Sequence, residues 1–146
     1  MLQRKSAGVV IFLKEKGKTY YLLLNYSAIG FVGKTYWGLA KGTIEGGEKE
    51  MGTVLREVKE ETGIADLEFI DGFREVEKYF FSQKGKTVSK TVSYLLAETK
   101  TKEVKLSFEH LDFKWLSYQE ALKKLTFKNA QKIVQKAHDF ILSKNL

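Results

Sequence analysis

The 146-residue chain contains no cysteine and no proline, and only two histidines. The absence of cysteine excludes disulfides, thiolate metal sites and a cysteine nucleophile, and assigns no compartment. Without proline, loops must be shaped by glycine placement and packing. Long apolar runs are also missing. Met1 to Ser6 is polar and Ala7 to Leu13 is too short to span a bilayer, so neither a signal segment nor a membrane span is expected and the cytoplasm is favoured. What remains is ordinary for a globular chain: 43% hydrophobic, 29% charged and 13% aromatic residues, enough for one domain over 1–146 that buries roughly two thirds of its unfolded surface. The formal net charge of +7 favours anionic partners, but the lysines are scattered and do not form one block.

Hydrophobic periodicity divides the chain into strands and three helices. Ala7–Leu13 and Thr19–Leu24 read as a hairpin across the charged Lys14–Lys18 turn. Asn25 to Tyr36, with two glycines and mixed polarity, reads as a loop, and Trp37 to Ala40 as a short strand entering a glycine-rich turn. Lys49–Thr62 is the clearest helix, with Met51, Val54, Leu55 and Val58 as its expected buried stripe and Gly63 as its left-handed stop. Leu67–Ile70, Phe73–Phe81, Thr87–Ala97 and Phe113–Leu116 are further strands. The middle two form a second hairpin around Gly85. Ser117 and Glu120 have the spacing of a capping box for a helix to Leu125, and Ala130, Ile133, Val134, Ala137 and Ile141 share one face of a last helix. One early and two late helices among strands predict a mixed sheet sandwiched by helices. His138 is expected at the surface and Trp115 in the core.

Within the clearest helix, Glu57, Glu60 and Glu61 stand at i, i+3 and i+4 and therefore share a face. Three gathered carboxylates repel one another unless a cation sits among them, and hard divalent ions take oxygen ligands. The helix thus offers a rigid scaffold for metal ions that touch a phosphate chain, with the apolar stripe expected to anchor it roughly a third of a turn away. A Glu-rich helix alone is compatible with simple solvation. Arg56, Glu48 and Gly42 in their present places are what a solvated helix does not need.

Gly42-x5-Glu48-x7-Arg56-Glu57-Val58-x-Glu60-Glu61-x-Gly63-Ile64 resembles the Nudix box, the loop–helix–loop signature of hydrolases acting on nucleoside diphosphates linked to another moiety. All nine specified positions match over 23 residues. The resemblance implies an α/β/α Nudix sandwich with a mixed sheet. It implies that Glu57, Glu60 and Glu61 ligate Mg²⁺ or Mn²⁺ together with the backbone carbonyl near Lys41, and that Arg56 and Glu48 form a supporting ion pair.

The flanks resemble the branch of asymmetrical diadenosine tetraphosphate hydrolases. Trp37-Gly-Leu-Ala-Lys41-Gly42 is similar to that branch's Trp-x-x-Pro-Lys-Gly entry, with Ala40 for the usual proline and Gly47 for another before the first Glu. A softer turn is the expected consequence. By this resemblance Lys41 meets phosphate, Tyr79 marks the branch, and Lys86 or Lys90 contacts phosphate, the repeated Lys-Thr-Val-Ser leaving both open. Glu109, six residues before Trp115, becomes a fourth metal-binding carboxylate or the general base, and Phe127 stacks on adenine. His110 is a phosphate donor or a loop hydrogen-bonder. Glu61 and Glu109 are the two candidates for accepting the water's proton.

The activity implied is Mg²⁺-dependent hydrolysis of diadenosine tetraphosphate to ATP and AMP. The alternatives are removal of pyrophosphate from an RNA 5′ end, nucleoside triphosphate pyrophosphohydrolysis and, in another class, a non-catalytic nucleotide-sensing Nudix domain. Neither DNA nor membrane is an expected partner, and oligomeric state is left open.

Overall fold

The computed structural model describes residues 2–27 and 34–146. Among these, eight strands form one mixed sheet. In chain order the elements are β1 (Leu2–Glu15), β2 (Lys18–Ser27), β3 (Thr35–Gly38), β4 (Ala40–Thr43), α1 (Glu50–Thr62), β5 (Glu68–Phe69), β6 (Glu75–Gln83), β7 (Lys86–Glu98), β8 (His110–Leu116), α2 (Tyr118–Lys124) and α3 (Lys128–Ser143). The long β1 organises the sheet. It runs parallel to β7 from Leu2 to Phe12, while antiparallel partners are β4 at Ser6–Val9 and β2 at Phe12–Glu15.

Alternation along β1 explains the layers. Val10 and Phe12 join Tyr21, Leu23, Val92 and Leu96 in a core closed by Ala121, Leu125, Ile133, Val134, Ala137 and Ile141 of α2 and α3. Val9 and Ile11 point the other way, to Leu22, Leu24, Ala97 and to Val54 and Val58 of α1. A strand buried on both faces reads as a continuous apolar run, which is what Ala7 to Leu13 is. The expected sandwich is the observed one, including the two hairpins, the Ser117–Glu120 capping box and the left-handed Gly63 at φ 77°.

Three local expectations are corrected. Asn25 to Ser27 continue β2 and Thr35–Tyr36 begin β3, paired through Tyr26 and Tyr36, so the expected loop is shorter than 25–36. Residues 28–33 of it lie outside the described residues. On α1, Met51 and Leu55 are 50% and 42% exposed, while Thr53, Val54, Val58, Glu61 and Thr62 are buried. The helix packs through a stripe rotated toward its carboxylates, because β4 and β1 meet it on that side. His138 is not a surface residue: its ring stacks on Tyr118 at 3.8 Å and its Nδ1 lies 2.7 Å from the buried Tyr21 hydroxyl. The two positions where the resembled branch carries proline are both described. Gly47 has φ 81°, which proline cannot adopt, and Ala40 is buried and paired with Val9 in β4. Trp115 packs as expected against the α1-side core, its Nε1 donating to the Lys102 carbonyl.

Candidate active site

The carboxylate helix is fixed to the turn before it by Arg56. Its Nε and Nη2 reach the two oxygens of Glu48 at 2.8 and 3.0 Å, and Nη2 also donates to the Thr43 carbonyl at 3.0 Å. This bidentate pair has the planar geometry that suits guanidinium and carboxylate. Glu48 accepts further bonds from the Glu45 amide and the Thr53 hydroxyl. Arg56, first among these donors, holds the Glu48 carboxyl down to a pKa of about 2. Arg56 also pairs with Glu57 at 2.8 Å and reaches Glu60 at 3.6 Å.

The three box carboxylates differ sharply in environment. Glu60 is exposed, Glu57 is largely covered, and Glu61 is buried at 5% exposure. Burial is the main cause that raises the Glu61 pKa to about 8, with the neighbouring Glu57 next. Its Oε2 finds no hydrogen-bond partner. Gly42 is what lets Glu57 fit: a Cβ there would lie 2.0 Å from Glu57 Cδ. Among the described residues no three carboxylates or imidazoles yet converge on one point, since Arg56 draws Glu57 and Glu60 toward itself. The donor set nevertheless suits a hard divalent cation: crowded carboxylate oxygens, one of them buried and unpartnered, on a rigid helix. Glu109 stands on the exposed turn before β8, close enough to add to the negative field at Glu61.

A cavity of about 680 Å³ is lined by Tyr26, Tyr36, Lys41, Tyr79, Phe127 and Asn129, among others. Its aromatic wall is built by pairing. Tyr26 and Tyr36 are opposite one another on β2 and β3, stack at 4.9 Å with rings 8° apart, and Phe127 tilts against Tyr36 at 5.4 Å. The Tyr26 hydroxyl donates to the Leu39 carbonyl at 2.7 Å, and burial and then Glu61 raise its pKa. Lys41 supplies the cationic wall. Burial and then Lys90 lower its pKa, while Glu77 opposes them. Lys90 is not among the lining residues, but its Nζ lies 6.0 Å from the ring centre of Tyr79, which is.

Of the expected site residues, Lys41, Tyr79 and Phe127 line this cavity, while Glu57, Glu60, Glu61 and Arg56 stand on α1 and are not among its lining residues; Lys90 lies beside Tyr79, and Glu109 lies near Glu61. Lys86 sits exposed at the β6–β7 turn, paired with Gln83. The strand register sets Lys90, not Lys86, opposite Tyr79. Sequence reasoning missed Tyr26, Tyr36, Glu77 and Tyr94. The first two fall at the ends of the stretch read as loop, and an alternation Tyr26/Leu24/Leu22 was the available signal.

A NUDIX domain model matches residues 2–137. The chain belongs to the NUDIX family. Among its relatives, the asymmetrical bis(5′-nucleosyl)-tetraphosphatase of Mus musculus is 36% identical over 149 residues, spanning 95% of this chain and 96% of the mouse protein. The crystal structure of a binary complex of Caenorhabditis elegans Ap4A hydrolase superposes with a TM-score of 0.80 at 32% identity, covering 96% of this Nudix chain and 98% of that one. The Escherichia coli dihydroneopterin triphosphate pyrophosphohydrolase shares the fold, with a TM-score of 0.73 at 21% identity over 93% and 97% of the two chains. No helix among the described residues is long and apolar enough to cross a membrane.

Proposed function

We propose that this Nudix protein hydrolyses diadenosine tetraphosphate to ATP and AMP with Mg²⁺ or Mn²⁺. The observation that carries the reading is that Tyr26, Tyr36 and Phe127 line one cavity with Lys41, and that Glu61 of α1 lies near enough to Tyr26 and Tyr36 for its charge to act on both. Aromatic faces hold a base without reading its edges. Lys41 and Lys90 receive the phosphate chain as point charges, and the reacting phosphorus comes to rest against Glu57, Glu60 and Glu61. The names of the mouse and nematode relatives support the same substrate.

Glu57, Glu60, Glu61 and Glu109, with the carbonyl near Lys41, would hold the divalent ion, which when bound neutralises phosphate charge and makes water more acidic. The chain's own residues do the rest. Water attacks phosphorus, one phosphorus–oxygen bond of the chain breaks, and the water's proton passes to a carboxylate, Glu61 or Glu109. Lys41 and Lys90 offset the charge that develops on the departing phosphate. Arg56 keeps Glu57 in place through the pair it makes with Glu48.

A substrate panel with product analysis tests this reading. ATP and AMP are expected from diadenosine tetraphosphate. The reading is lost if the dinucleotide stays intact with either metal while another nucleoside triphosphate or capped substrate is cleaved. Glu60→Gln separates enzyme from sensor: turnover should fall by orders of magnitude, whereas a sensor would mainly lose ligand affinity.

One observation favours a second reading, removal of pyrophosphate from an RNA 5′ end. From Lys114 to Lys136 there are six lysines and a single acid, Glu120. Lys114 and Lys124 lie over the Trp37 ring at 5.9 and 5.0 Å, and Lys128 lines the cavity. Lysines with interleaved aromatics form a track for a single strand.

A further inference from the structure

Two buried polar atoms face one another behind the site. Glu61 Oε2 and His110 Nε2 are 3.8 Å apart, their side chains are 7% and 2% exposed, and neither has a hydrogen-bond partner. Unpaired polar atoms at this depth are rare and ask for a reason. An ionised carboxylate oxygen can only accept, so the imidazole can serve it only by carrying its proton on Nε2.

The other ring nitrogen is placed to fix that tautomer. His110 Nδ1 lies 3.2 Å from Ser107 Oγ, and the same oxygen accepts the Glu109 amide at 3.4 Å. The serine hydroxyl, while accepting from the Glu109 N–H, still has its own proton to donate to Nδ1 when the ring carries its proton on Nε2. The turn is also tied to the end of α1: Ser107 N donates to the Glu61 carbonyl at 3.1 Å, and Lys105 N to the Thr62 carbonyl at 2.9 Å. Tyr26 closes the pocket edge-on against the imidazole, with ring centres 4.6 Å apart.

We infer that His110 is a positioning residue: a relay from the Glu109 amide through Ser107 Oγ to His110 presents an Nε2 proton to Glu61. It sets the orientation of Glu61 relative to Glu109, two carboxylates brought together from different elements. In metal sites such outer partners orient the ligands, and losing one lowers affinity or activity by roughly 10–100-fold. This assignment rests on the proposed role of Glu61 and Glu109.

The test begins without substrate. With Mg²⁺ bound and Glu61 therefore ionised, ¹⁵N-edited NMR of the imidazole should show a neutral ring protonated on Nε2, and Ser107→Ala should shift that tautomer balance. Mn²⁺ titration followed by electron paramagnetic resonance should show affinity falling about 10–100-fold in His110→Ala. His110→Gln, whose amide can donate from nearly the same place, should recover much of the loss. In turnover, kcat should fall with KM changed only a few-fold. An Nδ1-protonated ring in the Mg²⁺-bound wild type overturns the inference. So does a folded His110→Ala that binds Mn²⁺ normally, or a His110→Gln no better than alanine. Should His110→Ala not fold, Ser107→Ala carries the same metal titration, and unchanged affinity with an unchanged tautomer overturns the relay. An intact dinucleotide in the wild type would sink the proposed substrate while leaving the tautomer and metal readouts standing.

Discussion

Gly42 and Glu57 share one volume: a Cβ on residue 42 would stand 2.0 Å from the Glu57 carboxyl carbon and 2.3 Å from its Oε1. The glycine is needed for clearance at this point, and the left-handed conformation needed at Gly63 or Gly47 plays no part. Gly42→Ala should therefore fold, but with Glu57 pushed off its place. Displacement of a reacting group by about 1 Å is enough for a rate loss on the order of 100-fold. Steady-state kinetics and a thermal melt check this together. Near-normal turnover from the folded variant would show that Glu57 has room to spare.

Glu61 makes the metal-free protein sensitive to pH. Its folded pKa is raised from 4.5 to about 8 by burial and by Glu57. Between those values the folded state binds more protons than the unfolded state. The stabilisation is thus whole below the unfolded value and is lost as pH rises through about 8, to an extent on the order of a few kcal/mol. In chelator, Tm should fall from pH 5 to pH 8.5, and Glu61→Gln should flatten that slope. With Mg²⁺ the trend reverses, because the cation binds the ionised carboxylate and its stabilising effect grows with pH. Equal slopes for wild type and Glu61→Gln in chelator would rule this out.

On the opposite face, His138 works with the other sign. Burial lowers its pKa, so the neutral ring that accepts from Tyr21 is favoured in the fold. Its contribution is present above the unfolded pKa and is lost as pH falls through the folded one. His138→Phe keeps a ring for Tyr118 to stack on but leaves the buried Tyr21 hydroxyl without its acceptor, a loss of about 1–3 kcal/mol. Urea unfolding at pH 7 should show that loss, and the difference from wild type should shrink at pH 5. A variant as stable as wild type at pH 7 would mean that Tyr21 finds another partner.

What the sequence disclosed and what it hid follow from range. The box is local: Glu48, Arg56 and the three glutamates sit within one turn and one helix, so spacing alone shows that they share a face. The core stripes of β1 and α3 are legible for the same reason. The rotation of α1 was not, because Met51 and Leu55 fit the helical period as well as Val54 and Val58 do. Only the arrival of β4 decides which of them is covered. That Lys90 and not Lys86 faces Tyr79 is visible only in the β6–β7 register. His138 and Tyr21 are 117 positions apart in the chain, a pairing no local pattern announces.

Phe127 is half-exposed against Tyr36 at the N-terminal end of α3, which is an uncommon place for a bare phenylalanine unless something else covers it. If adenine is that cover, Phe127→Ala should raise KM for the dinucleotide roughly 5–30-fold, the range of about 1–2 kcal/mol for a lost base stack, with kcat within a few-fold. Phe127→Tyr should behave almost as wild type. Loss of kcat at unchanged KM would instead mean that Phe127 acts on the chemistry or on the start of α3.

The lysine-rich margin decides between a dinucleotide and an RNA end. Lys124 and Lys132 are exposed, and Lys124 is held over Trp37. A dinucleotide places its charges in the cleft, so reversing both lysines should alter its kcat/KM by less than about threefold at physiological salt, where the Debye length is about 8 Å. A strand leaving the cleft would run along the margin, and each phosphate contact it makes there adds to the salt dependence of binding. Lys124→Glu combined with Lys132→Glu should therefore reduce kcat/KM on 5′-triphosphorylated RNA at least about tenfold and flatten its dependence on salt. Equal effects on both substrates would mean that the margin acts only through its overall field. No effect on either would leave the cleft as the sole determinant, and the RNA reading would lose the observation that favours it.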